Sequence, residues 1–336
     1  MNRSLVVAGL LLAMFLFGFG VYHGAELLKD NKPSVHRPTE VTVPGVPGTM
    51  YLAQGGAIYR FKGGTFTQIT PEAGWMQPAI SPDGRALVAV QRRTNWSDLF
   101  LLTPAGKPTS MVTHNNLSQL PEYNHWAFYP RFSPDGSSIF YNYDPKDAYN
   151  SYQVDLAIFA SPAPSWRTSV QWTNPQAYTG GDVGPVPLKS GLIYTKFSID
   201  DQGAVHSQIW MQARPGSPGV ALTPKEVNCV QPAVSPDQKS IAMVCTRGQT
   251  QSAEIDIRTF DPGAPTAGSL TTLASGHLVA APSFSPDGKM IAYLSPVVTG
   301  GAFQLWTVSS SGQPSANAIT TNLGLDSTSA PVWVAG

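Results

Sequence analysis

Charge is scarce in this sequence. Asp, Glu, Lys and Arg make up 12% of its 336 residues, about half the share usual in soluble domains. The 21 basic residues balance the 21 acidic ones. Without a basic excess or stripe, no nucleic-acid partner is expected. Cysteine is scarcer still. Cys229 and Cys245 are the only two; neither lies near the N-terminus to carry a lipid, and a pair alone does not make a metal site. The linear signatures of common enzymes are absent too: there is no Gly-x-Ser-x-Gly elbow, no His-Glu-x-x-His and no glycine-rich phosphate loop before a helix. No catalytic residue, metal or cofactor is therefore expected.

What the sequence does have is turn formers, with 31 Gly and 30 Pro. That suits many short strands rather than amphipathic helices. One segment stands apart. Leu5–Tyr22 is uncharged and rich in Leu, Val, Phe and Ala, long enough to span a bilayer as a helix and also compatible with a signal peptide. Residues 1–28 are accordingly expected to form a signal-anchor or signal peptide, with Arg3 holding the N-terminus in the cytoplasm. Residues 29–48, with Pro33, Pro38, Pro44 and Pro47, read as an extended linker reaching on the order of 60 Å.

The rest repeats. Gln77-Pro-Ala-Ile-Ser-Pro-Asp-Gly84 recurs as Tyr129–Gly136, Gln231–Gln238 and Ala281–Gly288, each copy running into an apolar strand. The motif serines stand at 81, 133, 235 and 285, so the middle gap is twice the outer ones. A degenerate copy, Gly184–Gly191, fills it. Pro presets a turn, Asp bonds back to its own backbone and Gly supplies positive φ, so Ser-Pro-Asp-Gly reads as a hairpin turn. Four repeated aspartates serve the repeat, not a reaction. Each hairpin is followed by an apolar third strand and a short threonine-rich fourth, Ser110–Thr113 and Gln176–Thr179 among them. Four strands per fifty residues make a propeller blade.

The first unit, from Thr49, lacks its first strand, and Ala330–Val334 is a first strand without a hairpin partner. Joining the two closes the ring and removes two edges. The predicted fold is all-β: a six-bladed propeller over residues 49–336, closed by the C-terminal strand and preceded by one N-terminal hydrophobic helix.

The Pro-x-Phe-Ser-Pro-Asp-Gly-x-x-Ile-Ala-Tyr pattern resembles the TolB-like propeller repeats, a branch of the wider WD-repeat-like group. The resemblance covers nearly all of 49–336. It implies the fold and a binding role; together with the N-terminal hydrophobic segment, the expectation is a monomeric extracytoplasmic module, tethered to the membrane or secreted, that recognises an envelope protein or peptide.

Candidate contacts are the aromatics and histidines that enter the innermost strands from the face opposite the Ser-Pro-Asp-Gly turns: Trp75, Tyr123, His125, Trp126 and His277. His125 and His277 belong to the third and sixth blades, across the channel from each other, which argues against one shared metal. The segment Ser161–Pro175, with Trp166 and Trp172, departs from the repeat length and reads as an insertion on the turn-bearing face. Trp210 and Trp306 occupy equivalent third-strand positions and read as packing between blades. Cys229 and Cys245 flank a hairpin symmetrically about Asp237; they are either a disulfide or two small core residues. The alternative to a binding module is a carbohydrate-active or glycan-binding propeller, which requires acidic, His or Arg groups converging on the channel mouth.

Overall fold

A computed structural model describes residues 46–335 apart from 118, 147–154, 167, 249–251 and 314. The expected N-terminal helix and nearly all of the linker lie outside the described residues. Among the described residues, no helix is long and apolar enough to cross a membrane.

Six four-stranded antiparallel sheets follow one another along the chain. Blade one holds β1 (Thr49–Gln54), β2 (Ala57–Lys62) and β3 (Thr65–Gln68). Blade two holds β4 (Trp75–Ile80), β5 (Leu87–Arg92), β6 (Ser97–Leu102) and β7 (Pro108–Met111). Blade three holds β8 (Ala127–Phe132), β9 (Ser138–Tyr143), β10 (Ala157–Pro162) and β11 (Val170–Gln171). Blade four holds β12 (Asp182–Leu188), β13 (Gly191–Ile199), β14 (Val205–Gln212) and β15 (Val220–Ala221). Blade five holds β16 (Val227–Val234), β17 (Ser240–Arg247), β18 (Ala253–Thr259) and β19 (Thr271–Gly276). Blade six holds β20 (Ala280–Phe284), β21 (Met290–Pro296), β22 (Phe303–Ser309) and β23 (Asn317–Ala318). The last strand, β24 (Val332–Val334), pairs with β1 through Thr49–Val334 and Tyr51–Val332 and completes blade one. The ring closes where the unpartnered terminal strand requires it to.

The buried apolar residues form six clusters, one at each blade interface. Met50, Leu52 and Trp333 meet Ala292 and Leu305 between blades one and six. Ile193 and Met211 meet Ile241 and Met243 between blades four and five. Alternation along each strand sends one set of side chains to each neighbouring blade, so no blade buries its faces alone.

The repeated motif supplies two devices. In the turn, the Ser81, Ser133, Ser235 and Ser285 hydroxyls each donate to the aspartate two residues on at 2.6 Å. The same Oγ atoms accept the N–H five residues on at 2.9 Å. The serine hydroxyls, with the backbone N–H two residues beyond each aspartate, hold the four carboxylates below the usual range, Asp135 at about 2. Ahead of the turn, the residue before the first proline takes positive φ: Gln77 (51°), Tyr129 (52°), Gly184 (68°), Gln231 (55°) and Ala281 (56°). Each lies at a bulge in the innermost strand, where a proline without an N–H is tolerated.

The bulge N–H groups are satisfied by the preceding blade, in a girdle around the channel. Ser329 Oγ accepts from Gln77 at 2.9 Å, and Gln77 Oε1 accepts from Tyr129 at 2.7 Å. Asn142 Oδ1 accepts from Gly184 at 2.9 Å and Thr195 Oγ1 from Gln231 at 3.2 Å. Gln231 Oε1 accepts from Ala281 at 2.7 Å.

Two sequence readings are corrected. The fourth strand of blade three is β11, not Gln176–Thr179, whose residues form a turn held by the Asp155 carboxylate, which accepts the Tyr178, Thr179 and Gly180 N–H groups. The segment Ser161–Pro175 is not an inserted surface. Ser161 and Pro162 end β10, Trp172 packs inward on Phe140 at 5.1 Å, and Trp166 packs against the apolar cluster between blades two and three.

Candidate functional site

Strand direction alternates within a blade, so the molecule has two unlike faces. The Ser-Pro-Asp-Gly turns and the connections from third to fourth strands share one, the turn face. The blade-to-blade crossovers and the hairpins between second and third strands share the other, the crossover face. Large exposed apolar residues are distributed unequally between them. Leu117, Leu120, Tyr123, Tyr178 and Leu278 lie in crossovers, and Val205, Val297 and Val298 in second-to-third hairpins. Among the described residues, only Val170 and Val220 lie toward the turn face.

The crossover between β7 and β8 carries three of them on a well-braced loop. Asn124 Oδ1 accepts the Leu117 N–H at 2.8 Å, and the His125 N–H reaches Asn115 O at 3.1 Å. A 3₁₀ turn, Pro121–Tyr123, ends at Tyr123, a residue 43% exposed. Behind it, wholly buried Asp144 accepts the Trp126 N–H on Oδ1 at 2.7 Å and lies 3.3 Å from His125 Nδ1 and 3.5 Å from Lys146 Nζ. The Asp144 hydrogen bond raises the His125 pKa, and burial opposes it. His125 stacks on Tyr143 at 5.1 Å. Trp126, half-buried, stacks on Phe128 at 5.8 Å with the Arg92 guanidinium 5.8 Å from its ring. Arg92 leads into a groove of about 910 Å³ bordered by Arg93, Trp96, Glu72 and Asp326. The site thus mixes both charge signs with aromatic surface, an arrangement suited to a polypeptide.

The structure brings Tyr123, His125 and Trp126 together. His277 is exposed on the crossover before β20, in another sector of the same face. Trp75 is buried, not exposed as expected, although it also lines the groove beside Arg92. It is the first residue of β4, paired with Gln91, and its ring is 3% exposed, edge-on to Phe100 at 5.4 Å. Strand pairing begins one residue earlier than a loop reading supposes, which commits the indole to the core between blades one and two. Trp96, Tyr178, Leu278 and the Val297–Val298 pair were not singled out by the sequence reading, although their places between strands were legible. Cys229 and Cys245 are directly paired across β16 and β17 and joined by a disulfide, both wholly buried in the cluster facing blade four.

The channel itself, about 520 Å³, is lined by the innermost strands of all six blades. Its walls are mainly Pro, Val, Ala and Phe, and Arg131 is the single charged residue among the described lining. Most glycoside hydrolases use a pair of carboxyl groups, and no carboxyl group is among the described lining. The carbohydrate-active alternative is not favoured.

Comparison with known proteins places the fold. No protein-family model matches the chain, and no curated protein matches it. Similar solved structures include TolB from Acinetobacter baumannii, with TM-score 0.66 and 19% identity over 90% of this chain and 69% of that one. Putative TolB from Agrobacterium tumefaciens gives 0.58 and 16%, over 85% and 92%. Hydrazine synthase from Kuenenia stuttgartiensis gives 0.61 and 11%, over 88% and 48%. Likeness at such identities carries the fold alone.

Proposed function

We propose that this chain is a non-enzymatic, extracytoplasmic binding module that recognises an envelope protein or peptide through its crossover face. The observation that carries the reading is the placement of the large exposed apolar residues, eight of the ten among the described residues lying on that face. Scattered exposed apolar groups are ordinary; their segregation to one side of a ring is what an interaction surface requires. The braced β7–β8 crossover adds preorganisation, since Tyr123 and Trp126 are held in place before a partner arrives. The uncharged segment Leu5–Tyr22 supports export, as a retained anchor or a cleaved signal, with residues 49–336 forming a monomeric propeller beyond a proline-rich linker.

The test is partner recovery. Chain with Tyr123→Ala and Trp126→Ala is compared with unaltered chain and with Val220→Ser on the turn face, all captured from envelope extract. Loss of partner in the double variant alone supports the reading. Equal recovery from all three would show that binding lies elsewhere.

A further inference from the structure

The six innermost strands place one residue each at the same level of the channel, the position after the motif's first proline. Those residues are Ala79, Arg131, Val186, Ala233, Ser283 and Val332, and all six line the cavity. Five are small. The sixth projects a guanidinium into the space that the others leave. Residues shared by every blade maintain the repeat; a residue that departs from its five equivalents is free to serve something else.

Among the described residues Arg131 has no carboxylate partner. Its Nη1 reaches only two backbone carbonyls, Pro130 O at 3.3 Å and Pro78 O at 3.5 Å, both at the long end of hydrogen-bond range. Burial pushes its pKa down to about 10 with no opposing charge to hold it up, so it stays cationic at neutral pH. A half-buried cation against an apolar wall is costly unless paired and hydrogen-bonded. An apolar side chain at this level, as in four of the other five blades, would avoid that cost. Ser283 belongs to blade six, opposite blade three in the ring, and offers a hydroxyl at the same level.

We propose that the channel binds a ligand made of an apolar body carrying one carboxylate, with the carboxylate paired to Arg131. One guanidinium matches one negative charge and takes a carboxylate in its planar fork. A phosphate or other polyanion would call for further cations, and none lines the cavity. The Val, Pro and Phe walls suit the apolar body, and a volume of about 520 Å³ falls within the range typical of small-molecule sites. The ligand is either a free small acid or the C-terminal residue of a peptide. This site is independent of the crossover face, so either can fail without the other.

Binding of octanoate against octanamide, and of N-acetyl-Leu-Phe against its amide, is measured on the full chain by calorimetry. The expected result is at least a ten-fold preference for one or both acids over their amides. Preference for octanoate alone identifies a free acid, for the dipeptide alone a chain terminus; both answers uphold the proposal. Arg131→Met should abolish the preference. Ala233→Leu, which fills the channel at the same level and leaves Arg131 in place, should abolish binding and serves if the first variant does not fold. Acids binding no better than amides, a preference that survives Arg131→Met, or binding unaffected by Ala233→Leu would overturn it.

Discussion

Thr113 shows what a repeated residue does in this ring. Its Oγ1 accepts the buried Leu99 N–H at 2.9 Å and donates to buried Asp98 at 3.0 Å. Thr70, Thr173, Thr223 and Thr320 accept third-strand N–H groups in the same way, at 2.8–3.0 Å. Thr113→Val should cost about 1–3 kcal/mol, because a buried N–H is left without an acceptor; urea unfolding measures it. His125 gives a pH-dependent counterpart. Its folded pKa is raised by Asp144, so its stabilisation is complete below the unfolded value of about 6.5 and fades as pH rises through the folded one. The Tm gap between the unaltered chain and His125→Gln should therefore narrow between pH 6 and pH 9. A constant gap would mean the contact with Asp144 does not depend on charge. At this scale the sequence was informative where residues could be compared across blades. Arg131 stands out once four motif copies are aligned, whereas the burial of Trp75 depends on a strand boundary that no repeat marks.

Among the elements, the β16–β17 hairpin joins a bulge to a disulfide. Near the turn Val234 faces Ile241, a register that would set Cys229 opposite Thr246; the bulge between Val230 and Ala233 shifts it by one and sets Cys229 opposite Cys245. The bridge closes a loop of separation 16, for which chain entropy suggests about 3 kcal/mol. Cys229→Ala with Cys245→Ala should lose about that much, read from denaturant midpoints. The closing strand should be more sensitive still. Trp333 is buried between blades six and one and donates its indole N–H to Pro47 O at 2.7 Å. Trp333→Ala should cost about 3–5 kcal/mol and, by unsealing the ring, broaden the transition. Blade number and closure were legible because a missing strand at one end matched a spare strand at the other. The fourth strand of blade three was not, because Thr173 and Thr179 both satisfy a threonine-rich pattern. Only the first has its hydroxyl on a third-strand N–H.

For the whole molecule, the ring turns a short repeat into two faces of different character. Nothing in any single blade makes a binding surface. Separate crossovers and hairpins bring Tyr123, Tyr178, Leu278 and Val298 onto one side, while the repeated turns occupy the other with polar, self-satisfied chemistry. The asymmetry was only half visible in the sequence. The alternation of strands placed the loops, but exposure within each loop depends on local packing, such as the brace from Asn124 to Leu117. The most direct measurement is site-specific photocrosslinking in intact cells of the native organism, with the photoreactive residue placed at Tyr123 on the crossover face or at Val220 on the turn face. A discrete crosslinked protein at position 123 and none at 220 is the predicted result. The same product at both positions, or at 220 alone, would contradict the assignment of the crossover face.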